Sequence, residues 1–119
     1  MAADPHVPEY SIVQALLDRV ESEASARGAL TVARVEIALG RLSGVEPDLL
    51  RSAFELFRER TVCASAALAI RSLEPTWACG ECAEPVPPGG PLRCPACGKP
   101  ARLVSGDEIL LERLELEVA

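Results

Sequence analysis

Apolar residues recur with helical spacing in two parts of the chain. From Glu9 to Arg27 they return every three or four positions, which is the spacing of one face of an α-helix. Residues 48–60 show the same spacing directly after Pro47, a residue suited to the first turn of a helix. Gly28 follows the first pattern and indicates its end. The spacing therefore predicts two amphipathic helices.

Three further segments alternate between apolar and polar residues, as half-buried strands do. They are residues 31–39, 66–73 and 108–118. In the last segment the alternation predicts that one face carries Leu110, Leu114, Leu116 and Val118. We expect the second and third strands to pair with each other, because neither is stable alone and only a cysteine-rich segment separates them.

Two cysteine pairs dominate that intervening segment. They read Cys79-Gly-Glu-Cys82 and Cys94-Pro-Ala-Cys97, and eleven residues rich in proline and glycine separate them. Two such pairs can complete a tetrahedral shell of four sulfurs, which suits a structural Zn(II) ion. Gly80 and Gly98 lie where the metal-holding turns are expected to need a positive φ. A redox or disulfide pair, or an iron-binding electron carrier like rubredoxin, remains an alternative.

These elements together predict an α+β fold. We expect a small three-stranded sheet covered by two helices, with a zinc-ribbon-like module inserted before the last strand. The predicted division places residues 1–74 and 105–119 in the core domain and residues 75–104 in the zinc-binding module.

The charge balance narrows the range of partners. The net charge of −6 repels nucleic acid and anionic lipid, so we expect neither a nucleic-acid nor a membrane partner. No apolar run approaches 18 residues and no signal region opens the chain. Five cysteines do not suit a secreted disulfide framework, because one is left unpaired. We therefore expect a cytoplasmic protein.

Few other residues indicate chemistry. Cys63 follows the second predicted helix, and its expected role is that of a small buried apolar residue. His6 is the only histidine, and the sequence holds no phosphate-binding loop and no nucleophile motif. The sequence thus gives no support to a catalytic dyad or triad, and we expect a protein that is not an enzyme.

Several short motifs resemble those of one known family when they are taken in order and spacing. The chain is similar to the HypA/HybF proteins, which incorporate nickel into hydrogenases. The resemblance runs from residue 8 to about residue 118 and rests on the segments 8–16, 35–40, 42–47 and 54–56 together with the two cysteine pairs.

The resemblance implies two metal sites. One is a structural and regulatory Zn(Cys)4 site, which here falls on Cys79, Cys82, Cys94 and Cys97. The other lies at the N-terminus and holds Ni(II) transiently. A partner maturation GTPase then helps to deliver the metal into the large subunit of a nickel-iron hydrogenase, and in some organisms into urease.

The nickel motif of the family, Met-His-Glu, is only partly present. The matching residues are Val7, Pro8 and Glu9, so proline stands at the histidine position, and Glu46 matches the acidic residue after the first strand. His6 could fold back as a replacement ligand. We expect weaker and more octahedral nickel binding than the family motif would give. The alternative is a zinc-ribbon module that binds partner proteins and no longer delivers nickel.

Overall fold

The computed structural model describes residues 8–118. Its elements follow the predicted order, and the predicted α+β class is confirmed. Their bounds are α1 (Pro8–Ala26), β1 (Ala29–Gly40), α2 (Pro47–Phe57), β2 (Ala67–Leu73), β3 (Thr76–Cys79), β4 (Pro85–Val86), β5 (Ala101–Ser105) and β6 (Ile109–Val118). Within this range no helix is long and apolar enough to cross a membrane.

The larger sheet has β1 at its centre. The strand order is β2-β1-β6, with β1 parallel to β2 and antiparallel to β6. The predicted pairing of β2 with β6 is therefore wrong. β1 has the longest run of buried side chains, from Val35 to Leu39 apart from Glu36, and the central position buries such a strand best. α2 supplies the crossover that the parallel pair requires.

Both helices pack on one face of this sheet and share its core. The largest fully buried side chains there include Val13 and Val20 of α1, Ile37 of β1, and Leu50 and Phe54 of α2. The two helices also meet where the rings of Tyr10 and Phe57 pack edge to face at 5.3 Å. The sheet is thus covered by two helices, as predicted.

α2 ends three residues earlier than the predicted end at Arg60. The Thr61 hydroxyl donates to the Arg58 carbonyl at 2.5 Å, which competes with continuation of the helix. Arg60 then adopts a positive φ of 67°. The chain turns here so that β2 can begin at Ala67.

A β-bulge changes which residues of β6 face the core. Arg113 pairs with Glu36 and Leu111 with Ile37, so Glu112 is an extra residue on β6. Beyond it Ile109 and Leu111 pack against the core, whereas Leu110 is 45% exposed. The predicted face is therefore correct at Leu114 and Leu116 and wrong at Leu110, because strict alternation does not include the bulge.

The second sheet carries the cysteines and meets the first through two glycines. Its strand order is β4-β3-β5. At the junction a Cβ on Gly40 would lie 2.2 Å from the Gly106 carbonyl oxygen, and a Cβ on Gly106 would lie 2.4 Å from Cα of Pro75. The Leu42 amide also donates to the Gly106 carbonyl at 2.8 Å. The backbones therefore touch at a point where no larger residue fits.

Candidate metal centre

The two cysteine pairs form turns with the same backbone hydrogen bonds. In the first turn the Ala83 amide donates to the Cys79 carbonyl at 3.1 Å, and the Cys79 amide donates to the Glu84 carbonyl at 2.9 Å. In the second turn the Gly98 amide donates to the Cys94 carbonyl at 2.9 Å, and the Cys94 amide donates to the Lys99 carbonyl at 2.8 Å. Each turn therefore presents its two sulfurs in the same way.

Each turn needs a left-handed residue directly after its second cysteine. Gly98 has φ of 74° and Ala83, at the matching position, has φ of 61°. The expectation of a positive φ is confirmed for Gly98 and wrong for Gly80, which lies inside the first turn rather than at its end. Ala83 adopts a conformation that L-residues avoid, so the first turn is the more strained of the two.

The four cysteine sulfurs converge from these turns. All four lie within 4.8 Å of one another, and the closest contacts are 3.5 Å from Cys79 Sγ to Cys97 Sγ and 3.6 Å from Cys82 Sγ to Cys94 Sγ. A tetrahedron with Zn–S bonds of about 2.3 Å has edges of about 3.8 Å. A disulfide requires about 2.05 Å. The four-cysteine cluster therefore suits zinc far better than a disulfide pair.

Backbone amides favour the thiolate form of the two buried cysteines. Cys79 Sγ accepts hydrogen bonds from the amides of Cys82 at 3.5 Å and Glu81 at 3.3 Å, and together they lower the pKa of Cys79 to about 6. The amide of Cys97, with that of Ala96, likewise lowers the pKa of Cys94.

The pKa values of the two exposed cysteines, Cys82 and Cys97, are raised instead. The Lys99 amide lowers the pKa of Cys97, but the hydrogen bond between the Cys97 and Cys79 sulfurs and the partial loss of water around Cys97 outweigh it and raise that pKa to about 12. The pKa of Cys82 is also raised, where its contacts with Cys94 and Cys79 outweigh the Glu84 amide. A metal ion that takes all four sulfurs must displace the protons on this outer pair, so its binding releases protons.

The residues predicted for nickel lie at the start of the two helices. Glu9, in the first turn of α1, is only 3% exposed, and its Oε2 accepts a hydrogen bond from the Glu46 amide at 2.9 Å. Glu46 precedes α2 as its N-cap and its own side chain makes no capping bond. His6 lies outside the described residues. Within residues 8–118, only the four cysteines bring three or more ligand atoms together.

Glu9 has a structural role that the sequence reasoning missed. A signal for it existed, because the third residue of α2 is Leu49, which cannot accept a hydrogen bond from the N-cap amide of Glu46 as the glutamate of a capping box does. That amide therefore needed an acceptor from outside α2, and Glu9 supplies it.

Cys63 is a core residue rather than a site. It is fully buried in the hydrophobic core, as predicted. Burial first, and then the nearby carboxylate of Glu21, raise the pKa of the Cys63 thiol to about 11. The thiol therefore remains protonated and unreactive at neutral pH.

Comparison with known proteins gives one consistent result. Residues 7–116 match the family model described as hydrogenase/urease nickel incorporation, metallochaperone, hypA. The chain belongs to the HypA family. The resemblance stated from its motifs is thereby confirmed.

Curated relatives and solved structures agree with this assignment. A hydrogenase maturation factor HypA from Shewanella oneidensis is 43% identical over 113 residues, which cover 93% of this chain and 96% of that protein. One from Wolinella succinogenes is 45% identical over 112 residues, covering 92% and 94%. The solution structure of the Ni metallochaperone HypA from Helicobacter pylori has a TM-score of 0.75 at 31% identity, covering 93% of this chain and 98% of that one.

A second solved structure resembles the fold more closely. The solution structure of a HypA protein has a TM-score of 0.82 at 30% identity, and the match covers 98% of this chain and 100% of the HypA chain. The match spans both sheets of the protein, so the cysteine-bearing sheet is part of the HypA fold rather than an addition to it.

Proposed function

We propose that this chain is a nickel metallochaperone that serves the maturation of a nickel-iron hydrogenase. In this account Cys79, Cys82, Cys94 and Cys97 hold a structural Zn(II) ion. A separate Ni(II) ion binds transiently near Glu9 and Glu46, with His6 as a further ligand. Membership of the HypA family over residues 7–116 is the observation that carries the proposal.

The arrangement of the sulfurs supports a structural role for zinc. Four protein ligands fill a tetrahedral shell, and a filled shell leaves no open position for water or substrate. Zinc held in this way stabilises the fold of residues 75–104 and performs no catalysis, which agrees with a protein that is not an enzyme. We propose these residues as one unit and residues 1–74 with 105–119 as the other, since the second sheet lies within residues 75–104 except for Ser105 at the end of β5.

The N-terminal residues support an altered nickel site. Pro8 occupies the position where the family motif has histidine, and here it opens α1. Proline supplies neither an imidazole nor an amide proton, so the nitrogen-rich square-planar set is lost at this residue. Carboxylate oxygens from Glu9 and Glu46 favour weaker, octahedral binding, in which nickel is released easily to a recipient.

One observation favours a second candidate function. The hydrogen bond from the Glu46 amide gives the Glu9 carboxylate a structural role that does not require nickel. A zinc-ribbon protein-interaction module could therefore keep Glu9 after losing nickel delivery. The two candidates differ in whether nickel reaches the recipient enzyme.

The expected partners follow from the family. They are a maturation GTPase and the large subunit of the recipient nickel enzyme. We propose that the chain binds them in the cytoplasm, where reducing conditions keep its thiols available for zinc. The net charge of −6 argues against nucleic acid as a further partner.

Genetic complementation tests the proposal. The chain is expressed in a hydrogenase-producing bacterium that lacks its own HypA, and nickel in the purified large subunit is measured. We expect the wild-type chain to restore nickel and Cys94→Ser to fail because its zinc shell is incomplete. A wild-type chain that associates with the maturation GTPase yet restores no nickel would favour the interaction module instead.

A further inference from the structure

An open groove runs between α1 and the edge strand β6. We call it the β6 groove. It consists of two adjoining cavities of about 240 and 260 Å³, and Arg19 and Leu111 line both of them. Its apolar part is formed by Ile12, Leu16 and Ile109 together with Leu111. None of the four cysteines, Glu9 or Glu46 lines this groove.

The two edge strands of the larger sheet, β2 and β6, are not equally protected against the addition of another strand. On the β2 side, Arg51 donates to the Leu68 carbonyl at 2.8 Å and Arg58 donates to the Ala66 carbonyl at 2.7 Å. These side chains occupy carbonyls that an added strand would need. Among residues 8–118, no side chain donates to or accepts from the backbone of β6, which is ten residues long.

The groove also leaves apolar side chains incompletely covered. Ile12, Leu16, Ile109 and Leu111 pack against the core but are only partly buried, whereas Ile37 beneath them is 1% exposed. A strand placed beside β6 would direct every second side chain onto these residues, since side chains alternate between faces. The groove thus combines an open strand edge with an apolar floor.

Arg19 gives the groove a local positive charge. It is exposed and makes no ion pair with any residue from 8 to 118. The other arginines nearby are engaged, because Arg27 pairs with Glu23 and Arg113 pairs with Glu115. In a chain of net charge −6, this is a site that attracts an acidic group.

We propose that the β6 groove binds an extended segment of a partner protein as a fourth strand of the sheet. Backbone hydrogen bonds to β6 supply affinity, and side chains in the groove supply specificity, as in other cases of strand addition. An apolar side chain lies over Leu16 and Leu111, and an acidic side chain lies against Arg19.

Charge favours such a segment over a second copy of this chain. A second copy also carries a net charge of −6, and its β6 presents three glutamates, at 112, 115 and 117, against one arginine, Arg113. The proposal concerns a partner-binding surface and does not depend on whether the N-terminal site holds nickel.

Peptide selection on the full-length, zinc-loaded protein tests the proposal. A phage library of random twelve-residue peptides is selected on the wild type and counter-selected on Arg19→Glu. Enriched peptides are then synthesised and titrated by fluorescence anisotropy. We expect alternating apolar residues with at least one aspartate or glutamate. Affinity should fall at least tenfold with Arg19→Glu and stay unchanged with Arg102→Glu, which makes the same charge change at an exposed position on β5.

Two further measurements fix the location and the occupant. Amide chemical shifts of the 15N-labelled protein should move at residues 12–19 and 109–116 when peptide binds. Sedimentation at up to 200 µM should show no self-association through this surface. Failure to enrich peptides, equal affinity for Arg19→Glu, shifts confined to another region, or a dimer whose contacts map to β6 would each overturn the proposal.

Discussion

The Glu9 carboxylate accepts a hydrogen bond from the backbone amide of Glu46 at 2.9 Å. This bond ties the first turn of α1 to the residue that precedes α2. It also brings together the two acidic residues that we assign to nickel. Glu9 therefore has two roles in this account, one in the fold and one in metal binding, whereas the Glu46 side chain has only the second.

Substitutions at Glu9 and Glu46 should separate these roles. Glu9→Ala removes the acceptor of a part-buried amide and should lower the free energy of unfolding by about 1.5–3 kcal/mol. Glu46→Ala keeps that amide and should change stability by less than about 0.5 kcal/mol. Both should weaken nickel binding. Chemical denaturation of the zinc-loaded protein measures the difference, and Glu9→Gln, which keeps an acceptor, should lose less stability than Glu9→Ala.

Equal stability of Glu9→Ala and Glu46→Ala would contradict this division. It would mean that the bond to the Glu46 amide contributes nothing beyond what water supplies in its place.

The matched turns of the cysteine pairs predict opposite effects at Ala83 and Gly98. The left-handed region destabilises an L-residue by about 1–2 kcal/mol. Glycine avoids this cost but loses about 0.5–1 kcal/mol of stability, because its unfolded chain has more conformational freedom. Ala83→Gly should therefore strengthen zinc binding several-fold and Gly98→Ala should weaken it several-fold, because zinc binding and folding of the turns are coupled. Competition with a zinc-binding dye measures both. Changes of the same sign in the two variants would show that the turns are not equivalent.

The glycine contact between the two sheets should not tolerate a methyl group. A Cβ at Gly40 would lie 2.2 Å from the Gly106 carbonyl oxygen, so Gly40→Ala must separate the backbones and should cost about 3 kcal/mol or more. Gly90→Ala is the control, since its Cβ would meet nothing within 4 Å and its φ is not positive. Thermal unfolding measures the effect. If Gly40→Ala unfolds at the same temperature as Gly90→Ala, the close contact does not contribute to stability.

Cys63 should make the protein sensitive to alkali. Burial raises the pKa of its thiol to about 11 in the folded state from an ordinary value of 9.0. The neutral thiol is favoured by folding, so this stabilisation is complete below about pH 9 and is lost as the pH rises to about 11. The loss amounts to about 2–3 kcal/mol for two pKa units.

Cys63→Ala is the natural comparison for that pH dependence. It should be less stable than the wild type at pH 8 but lose less additional stability between pH 9 and pH 11. Unfolding measured across this range tests the prediction, and parallel curves for the two proteins would contradict it.

Much of this fold follows from periodicity and turn residues. The two helices begin at Pro8 and Pro47 because the fixed φ of proline suits the first turn of a helix. The first helix ends before Gly28 because glycine readily adopts the positive φ, here 65°, that ends a helix. The order of strands in the sheet did not follow, since alternation shows that a strand is half-buried but not which neighbour covers it. The bulge at Glu112 could not be predicted from the alternation either, because it depends on the register of β6 with β1.

The cysteine cluster was predictable because its four ligands are close in sequence. Each pair lies on one turn, so local spacing alone fixes half of the site. The hydrogen bond between Glu9 and Glu46 joins residues 37 positions apart, and its geometry depends on how α1 packs on α2. Spacing therefore placed the sulfurs, whereas only packing could show that a candidate nickel ligand also supports the start of α2.

Nickel titration of the full-length protein tests the central claim most directly. Nickel is added to the zinc-loaded wild type, Glu9→Gln, His6→Ala and Pro8→His, and both metals are quantified after gel filtration. The account predicts one nickel bound while one zinc is retained. It also predicts an octahedral absorption spectrum, weaker binding in Glu9→Gln and His6→Ala, and tighter square-planar binding in Pro8→His. Nickel that binds only by displacing zinc, or a wild type that binds none, would contradict the account.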